Sequence, residues 1–502
     1  MRGLVGRSAP ALVALALTFT AACGTTPAGP GAPDDGRPPT RPATRPLIGR
    51  AAIDRISFPP LRFNPPPTER RTLASGAPVL VVEDRTLPLV EVMVRFKGGP
   101  SYFGRERLGA ASAASALLRS GGTRSLPADS VDALIDFHAW RMGFGVGGTT
   151  SFATVGALRR DVAGAVHLWA EMLREPRFDR ERVEVWRGRE LESVQRRRDD
   201  PNFDAVTRFN RLLYGDHPVG WVMEPADLEP ADLTRERLSA VHAAVYCPGN
   251  ATFGVAGDIS ADSAVALLDE AFAGWAPCAA PLGEPPTPDV RSTPGVFVLH
   301  RPLSQTTIYM GHGGGVSRAD GDDYFASRIA NSILGGSGLS SRLVRTVRTE
   351  LGLAYGAGTV WTTPRDHEGA FAAFTQTRAD ATVAAARTVL GVVDGLRDAR
   401  PGDAEVRRAI DEIANGFVFN FSSSARVVAR RMLYEAEGLG PDWLERYVEG
   451  IQRVNARDVQ RVARTHIHPS RMTLLVIGDT TAFDAPLRSL GLGEPVLLSD
   501  DG

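Results

Sequence analysis

P-V-L-V-V-E-D-R (78–85), followed by L-V-E-V-M-V-R-F-K-G-G (89–99), decides the fold because the same design occurs twice. The later copy is G-V-F-V-L-H-R (295–301), followed by T-T-I-Y-M-G-H-G-G (306–314). Each is a pair of runs rich in β-branched residues that closes on glycines, the pattern of paired strands. Each half also ends on a matching run, N-A-T-F-G-V-A-G-D (250–258) and R-M-T-L-L-V-I-G-D (471–479). Between these bookends the first half reads as helix over 130–137, 159–173, 180–196 and 236–245. The second half reads as helix over 322–334, 379–396, 403–419, 426–437 and 441–465. Strands at the ends with helices between predict an α+β chain of two homologous lobes. The first lobe spans 68–276 and the second 295–490; the proline-rich stretch 277–294 is the linker and 491–502 a tail.

Composition bounds what the chain does. With 502 residues, 43% of them hydrophobic, it can bury large cores, and a net charge of −1 offers no electrostatic footprint for nucleic acid. Lys97 is the one lysine among 57 basic residues, a bias without functional weight. At the N-terminus Arg2 and Arg7 precede the apolar run Ala9 to Ala22, shorter than the roughly 20 residues that span a bilayer. Residues 1–22 therefore read as an export signal. The ending Thr20-Ala21-Ala22-Cys23 resembles the lipobox of bacterial lipoproteins, in which the Cys becomes acylated, although Thr20 replaces the usual Leu. Residues 23–67, rich in Pro, Gly, Thr and Arg, cannot bury enough surface to fold and read as a tether. The expected location is the periplasmic face of a bacterial membrane, the outer one by preference, with soluble periplasmic protein as the alternative. Cys247 and Cys278 remain and are available to pair in an oxidising compartment.

The second lobe contains I-L-G-G-S-G-L-S-S-R-L-V-R-T-V-R-T-E-L-G-L-A-Y (333–355). Gly335, Gly336 and Gly338 form a loop where backbone turns sharply or approaches a ligand closely. A short helical run follows, with Arg342, Arg345 and Arg348 as a stripe, and Gly352 stops it so that Tyr355 opens the next strand. Two readings stand. The arginines complement a helix C-terminus and Tyr355 is half buried, or Arg348 and Tyr355 stand side by side as a binding pair.

The duplicated lobe, L-L-Y-G-D-H-P (212–218), Asn250 running into Gly257-Asp258, and 335–355 together resemble the pitrilysin/insulinase metallopeptidase family, M16. The resemblance covers about 68–490 and implies that each lobe is a mainly antiparallel sheet packed with helices. Active members carry H-x-x-E-H on the first helix of a lobe. Two His four residues apart share a helical face and bind zinc, the Glu activates water, and a third ligand Glu follows. In this chain the His positions are Ser112 and Ala116, the Glu position is Ser115, and Glu192 stands at the third-ligand spacing. One carboxylate cannot hold zinc, so no metal is expected on this chain. Arg348 and Tyr355 match the family's R/Y pair, which donates to a substrate carbonyl gaining negative charge.

The resemblance implies a non-catalytic subunit of a heterodimer. Its partner would be an H-x-x-E-H chain carrying the zinc, and its substrate an extended or unfolded peptide lying along a sheet edge. The alternative is a stand-alone peptide-binding or scaffold lipoprotein with no role in proteolysis. An active peptidase with another site finds little support. His167 with Glu171, and His466 with His468, lack a third ligand, and no G-x-S-x-G elbow occurs. Replacing Cys23 with Ser is expected to move the exported chain from the membrane pellet to the soluble fraction, with loss of the acyl mass from its N-terminal peptide.

Overall fold

The computed structural model describes residues 66–499 apart from 291, 319, 320 and 366. The expected signal, Cys23 and nearly all of the tether lie outside the described residues. The first lobe contributes strands β1 (Glu69–Thr72), β2 (Pro78–Glu83), β3 (Leu89–Lys97), β4 (Arg141–Val146), β5 (Thr150–Leu158) and β6 (Ala251–Gly257). The second contributes β7 (Gly295–His300), β8 (Gln305–Gly313), β9 (Ala354–Trp361), β10 (Ala370–Arg378), β11 (Thr473–Gly478) and β12 (Pro495–Leu497). They form two six-stranded sheets of order β1-β2-β6-β3-β5-β4 and β12-β7-β11-β8-β10-β9. Pairing is antiparallel except β2–β6, β7–β11 and β7–β12. The expected tail thus supplies one of the two edge strands of the second sheet.

Strand side chains alternate between two faces, and in both sheets the two faces belong to different cores. Val79, Val81, Val92, Val94, Phe253 and Val255 face the first lobe's own helices. Leu80, Val82, Met93 and Ala256 face the other way and pack with Val427, Val428 and Met432, which come from the second lobe's helix Ser424–Ala436. The arrangement is reciprocal. Val296, Val298, Ile308, Met310, Leu474 and Val476 join the second lobe's own core. Leu299, Leu475 and Ile477 meet Ala205, Phe209 and Leu213 on the first lobe's helix Pro201–Tyr214. Burying Phe209 and Leu213 stabilises this contact by about 1.5–3 kcal/mol each.

Covered on both sides, β6 and β11 are continuous apolar runs rather than alternating ones. Close approach requires glycine. A Cβ on Gly254 would fall 2.3 Å from Val428 Cγ1 and 2.4 Å from Met432 Sδ. Ion pairs add direction, since Asp204 on the exchanged helix holds Arg208 at 2.9 Å and Arg301 of the second lobe at 3.1 Å.

The linker is pinned. Cys278 is bonded to Cys247, with their Cα atoms 5.1 Å apart. Glu284 pairs with Lys97 at 2.7 Å, and His217 Nε2 donates to the Pro286 carbonyl at 2.9 Å while its Nδ1 accepts from Val219 N–H. One helical expectation needs correction. The run 441–465 is two helices, Trp443–Arg453 and Ala456–His466, parted where Asn455 and Asp458 cap each other's backbone N–H groups.

His242 and His312 are buried and neutral. His312 Nδ1 donates to the Gly313 carbonyl at 3.0 Å and its Nε2 accepts the His468 N–H at 3.0 Å, so both nitrogens are used by the uncharged ring. Burial pushes each imidazole from 6.5 down to about 4. The unfolded chain then binds more protons between these two values. Stability is complete above about pH 6.5 and is lost as the pH falls towards about 4. Each ring is expected to contribute a slope of about 1.4 kcal/mol per pH unit in that window. Urea midpoints at about pH 7 and about pH 5 measure it, and His312→Asn is expected to reduce the slope by about 1.4 kcal/mol per pH unit.

Candidate substrate-binding pair and the degenerate zinc-motif positions

The helix Leu108–Ser120 carries the motif positions, and it is built from small residues because it packs on both sides. Ser112 and Ala116 share one half-buried face, as two residues four apart must. Ser115 turns inward, 2% exposed, beside the phenol of Tyr246, whose pKa burial raises. Glu192 is exposed and pairs along its own helix with Arg196 at 3.3 Å. A hydroxyl, a methyl and an outward carboxylate do not fit a zinc ion, which takes three nitrogen, sulfur or carboxylate ligands. The other histidines have local duties. His167 lies 3.6 Å from Glu270, His466 holds Asp323 at 2.8 Å, and the backbone of His468 donates to His312. Among the described residues no group of three or more His, Cys, Asp or Glu could hold a metal ion.

In the second lobe the segment 332–353 departs from α-helical spacing. Two wide turns occur, Ser332–Gly336 and Val344–Glu350, and the first takes in Gly335 and Gly336, so of the expected glycine loop only Gly338 lies between them; such turns recur at functional sites. The three arginines of the stripe separate in role. Arg342 makes a two-pronged pair with Glu405 at 2.9 and 2.7 Å, and Arg345 lies 3.5 Å from Glu350. Arg348 makes no ion pair among the described residues; its guanidinium stacks 4.6 Å from the ring centre of Tyr355. Tyr355 is 83% exposed, so the stack is at the surface and the expectation of a half-buried tyrosine is set aside. A cation on an exposed aromatic face gains about 0.5–1 kcal/mol, enough to align the two groups without consuming their hydrogen-bonding capacity. Leu339, Leu351 and Val360 on the neighbouring segments are also exposed.

The loop glycines divide. A Cβ on Gly335 would lie 2.6 Å from Thr359 N and 2.8 Å from Gly358 C, so this residue is a packing contact against β9. On Gly336 it would meet Asn331 Nδ2 at 2.3 Å, whereas Gly338 faces open space. Two further residues, Thr375 and Thr377 on β10, bond to carbonyls beside Tyr355. T-Q-T in a strand carries no motif, so sequence reading had nothing to find them by. Gly335→Ala is expected to cost about 1–3 kcal/mol by overpacking, and Gly338→Ala less than about 1 kcal/mol. Denaturant midpoints of the two variants check this.

Comparison with known proteins places this geometry. The family model described as "Peptidase M16 inactive domain" matches residues 232–413. An uncharacterized zinc protease of Mycobacterium bovis is 29% identical over 331 residues, 64% of this chain and 73% of that one. A protein of Helicobacter pylori named as a non-peptidase homolog is 23% identical over 290 residues, 57% of this chain and 66% of that one. Among solved structures, the peptidase M16 inactive domain from Pseudomonas fluorescens is 26% identical with a TM-score of 0.73, over 83% of this chain and 99% of that chain. A doubled lobe, a matching fold and motif positions without ligands on the first long helix come together in one conclusion: the chain is similar to M16 peptidases of the inactive-domain type and lacks the H-x-x-E-H zinc motif.

Proposed function

We propose that this chain is the non-catalytic subunit of a two-chain M16 zinc metallopeptidase. It supplies Arg348, Tyr355 and half of a peptide chamber to a partner carrying H-x-x-E-H and the zinc. The supporting observation is the surface stack of Arg348 on Tyr355 in a chain whose own motif positions cannot ligate metal. A guanidinium and a phenol held together donate hydrogen bonds to a peptide carbonyl as its oxygen gains charge. The exposed Leu339, Leu351 and Val360 of the same lobe suit the side chains of an unfolded peptide. Its main chain would extend along a sheet edge, with weak sequence preference. The Cys247–Cys278 bond supports an exported setting, and Cys23 would anchor the complex to the membrane through lipid. Near-neutral net charge gives nucleic acid no part.

The test is to purify the chain alone and with an H-x-x-E-H chain, then measure zinc content and cleavage of an unfolded peptide. The lone chain is expected to hold no stoichiometric zinc and to cleave nothing, while the pair cleaves. Arg348→Ala or Tyr355→Phe in the pair is expected to lower kcat/KM about 100-fold, the effect of losing one donor to a developing oxyanion. Zinc or cleavage in the lone chain sinks the proposal. Undiminished cleavage by both variants removes the role given to the two residues.

A further inference from the structure

Strands β9 and β10 pair in one register from Phe371 opposite Trp361 to Gln376 opposite Gly356, and then Thr377 opposes Ala354. The shift leaves Tyr355 as an extra residue on β9, a β-bulge. Its effect follows from parity. Thr359 and Trp361 are buried and Ala357 is half buried, whereas Gly356 and Val360 are exposed. In an unbroken strand residue 355 would share the buried side with 357, 359 and 361. The inserted residue resets the alternation, so that Ala354 takes the buried place and Tyr355 turns outward beside Arg348. In the first lobe the corresponding outer pair, β4 and β5, keeps one register from Arg141–Gly156 to Val146–Ser151. The bulge is therefore not shared by the two lobes.

A bulge disrupts the ladder locally, and side chains bond the carbonyls on both sides of this one. Thr377 Oγ1 donates to the Leu353 carbonyl at 2.7 Å, and Thr375 Oγ1 donates to the Gly356 carbonyl at 2.9 Å. Both threonines are buried, 1% and 2% exposed. A buried hydroxyl without such a partner costs about 1–3 kcal/mol, so these two bonds discriminate between the bulged strand and a straight one. We propose that Thr375 and Thr377 are positioning residues: their hydroxyls hold the bulge that turns Tyr355 to the surface beside Arg348. What the pair then does to a peptide rests on the subunit reading above; the placement of Tyr355 does not.

The experiment uses the full chain with Thr375→Val and Thr377→Val, singly and together, and Thr→Ser at each position as the conservative control. Nitration of Tyr355 by tetranitromethane, mapped by mass spectrometry against the other tyrosines, reads its exposure. Cleavage kinetics with the H-x-x-E-H partner read its use. The double Val variant is expected to nitrate Tyr355 several-fold more slowly, with the Ser variants close to the parent. In the complex its kcat/KM is expected to fall towards that of Tyr355→Phe, and adding Thr375→Val to Tyr355→Phe to cause little further loss, since the residues act as one unit. If the double variant does not fold, the single variants carry the same measurement. Unchanged nitration across the Val variants overturns the assignment whatever the kinetics show. Slowed nitration, together with full activity of Tyr355→Phe in the pair, removes the substrate role given to Tyr355 and leaves the bulge assignment standing.

Discussion

Each sheet in this protein has two apolar faces and only one set of helices of its own to cover them. That constraint organises the molecule. Helix Pro201–Tyr214 leaves the first lobe to cover Leu299, Leu475 and Ile477, and helix Ser424–Ala436 returns the cover to Leu80, Val82 and Met93. A sheet face left bare would expose an apolar patch of the kind that drives association, so each lobe is completed by the other. The glycine at 254 and the Asp204–Arg208–Arg301 cluster follow from it: one allows the helix in, the other fixes its direction.

On this shared frame the two lobes differ in what they present. The first carries Ser112, Ser115 and Ala116, none of them a metal ligand, at the positions matched to the zinc motif on its first long helix. The second departs from regular geometry in one short region, with two wide turns, a glycine packed on β9 and a one-residue insertion in the edge strand. Irregular backbone is costly, and it is concentrated around Arg348 and Tyr355, the pair proposed above to meet substrate.

Much of the frame was legible because burial imposes period. The strand pairs 78–99 and 295–314 show themselves through β-branched runs ending in glycine, and most helices through their apolar stripes. Strand β4, R-M-G-F-G-V, did not, because two glycines argue against a strand. Pairing with β5, and Phe152 lying over Gly145, override that preference. Strand β9 repeats the case, with Phe374 over Gly358. The exchanged helix 201–214 shows a stripe only at Ala205, Phe209 and Leu213, and no local pattern says which sheet it serves. Arg348 and Tyr355 were legible through family resemblance. The outward turn of Tyr355 was not, since it depends on register with a strand fifteen or more residues away.

The segment joining the lobes has a consequence for motion. It is bonded to the first lobe through Cys278, Glu284 and Pro286, and the lobes it connects are interleaved by helices crossing in both directions. Such a connection cannot act as a hinge, because opening it would strip both exchanged helices from their sheets. On the proposed two-chain reading, a chamber would open between this polypeptide and its partner rather than by flexing of the segment that joins the lobes.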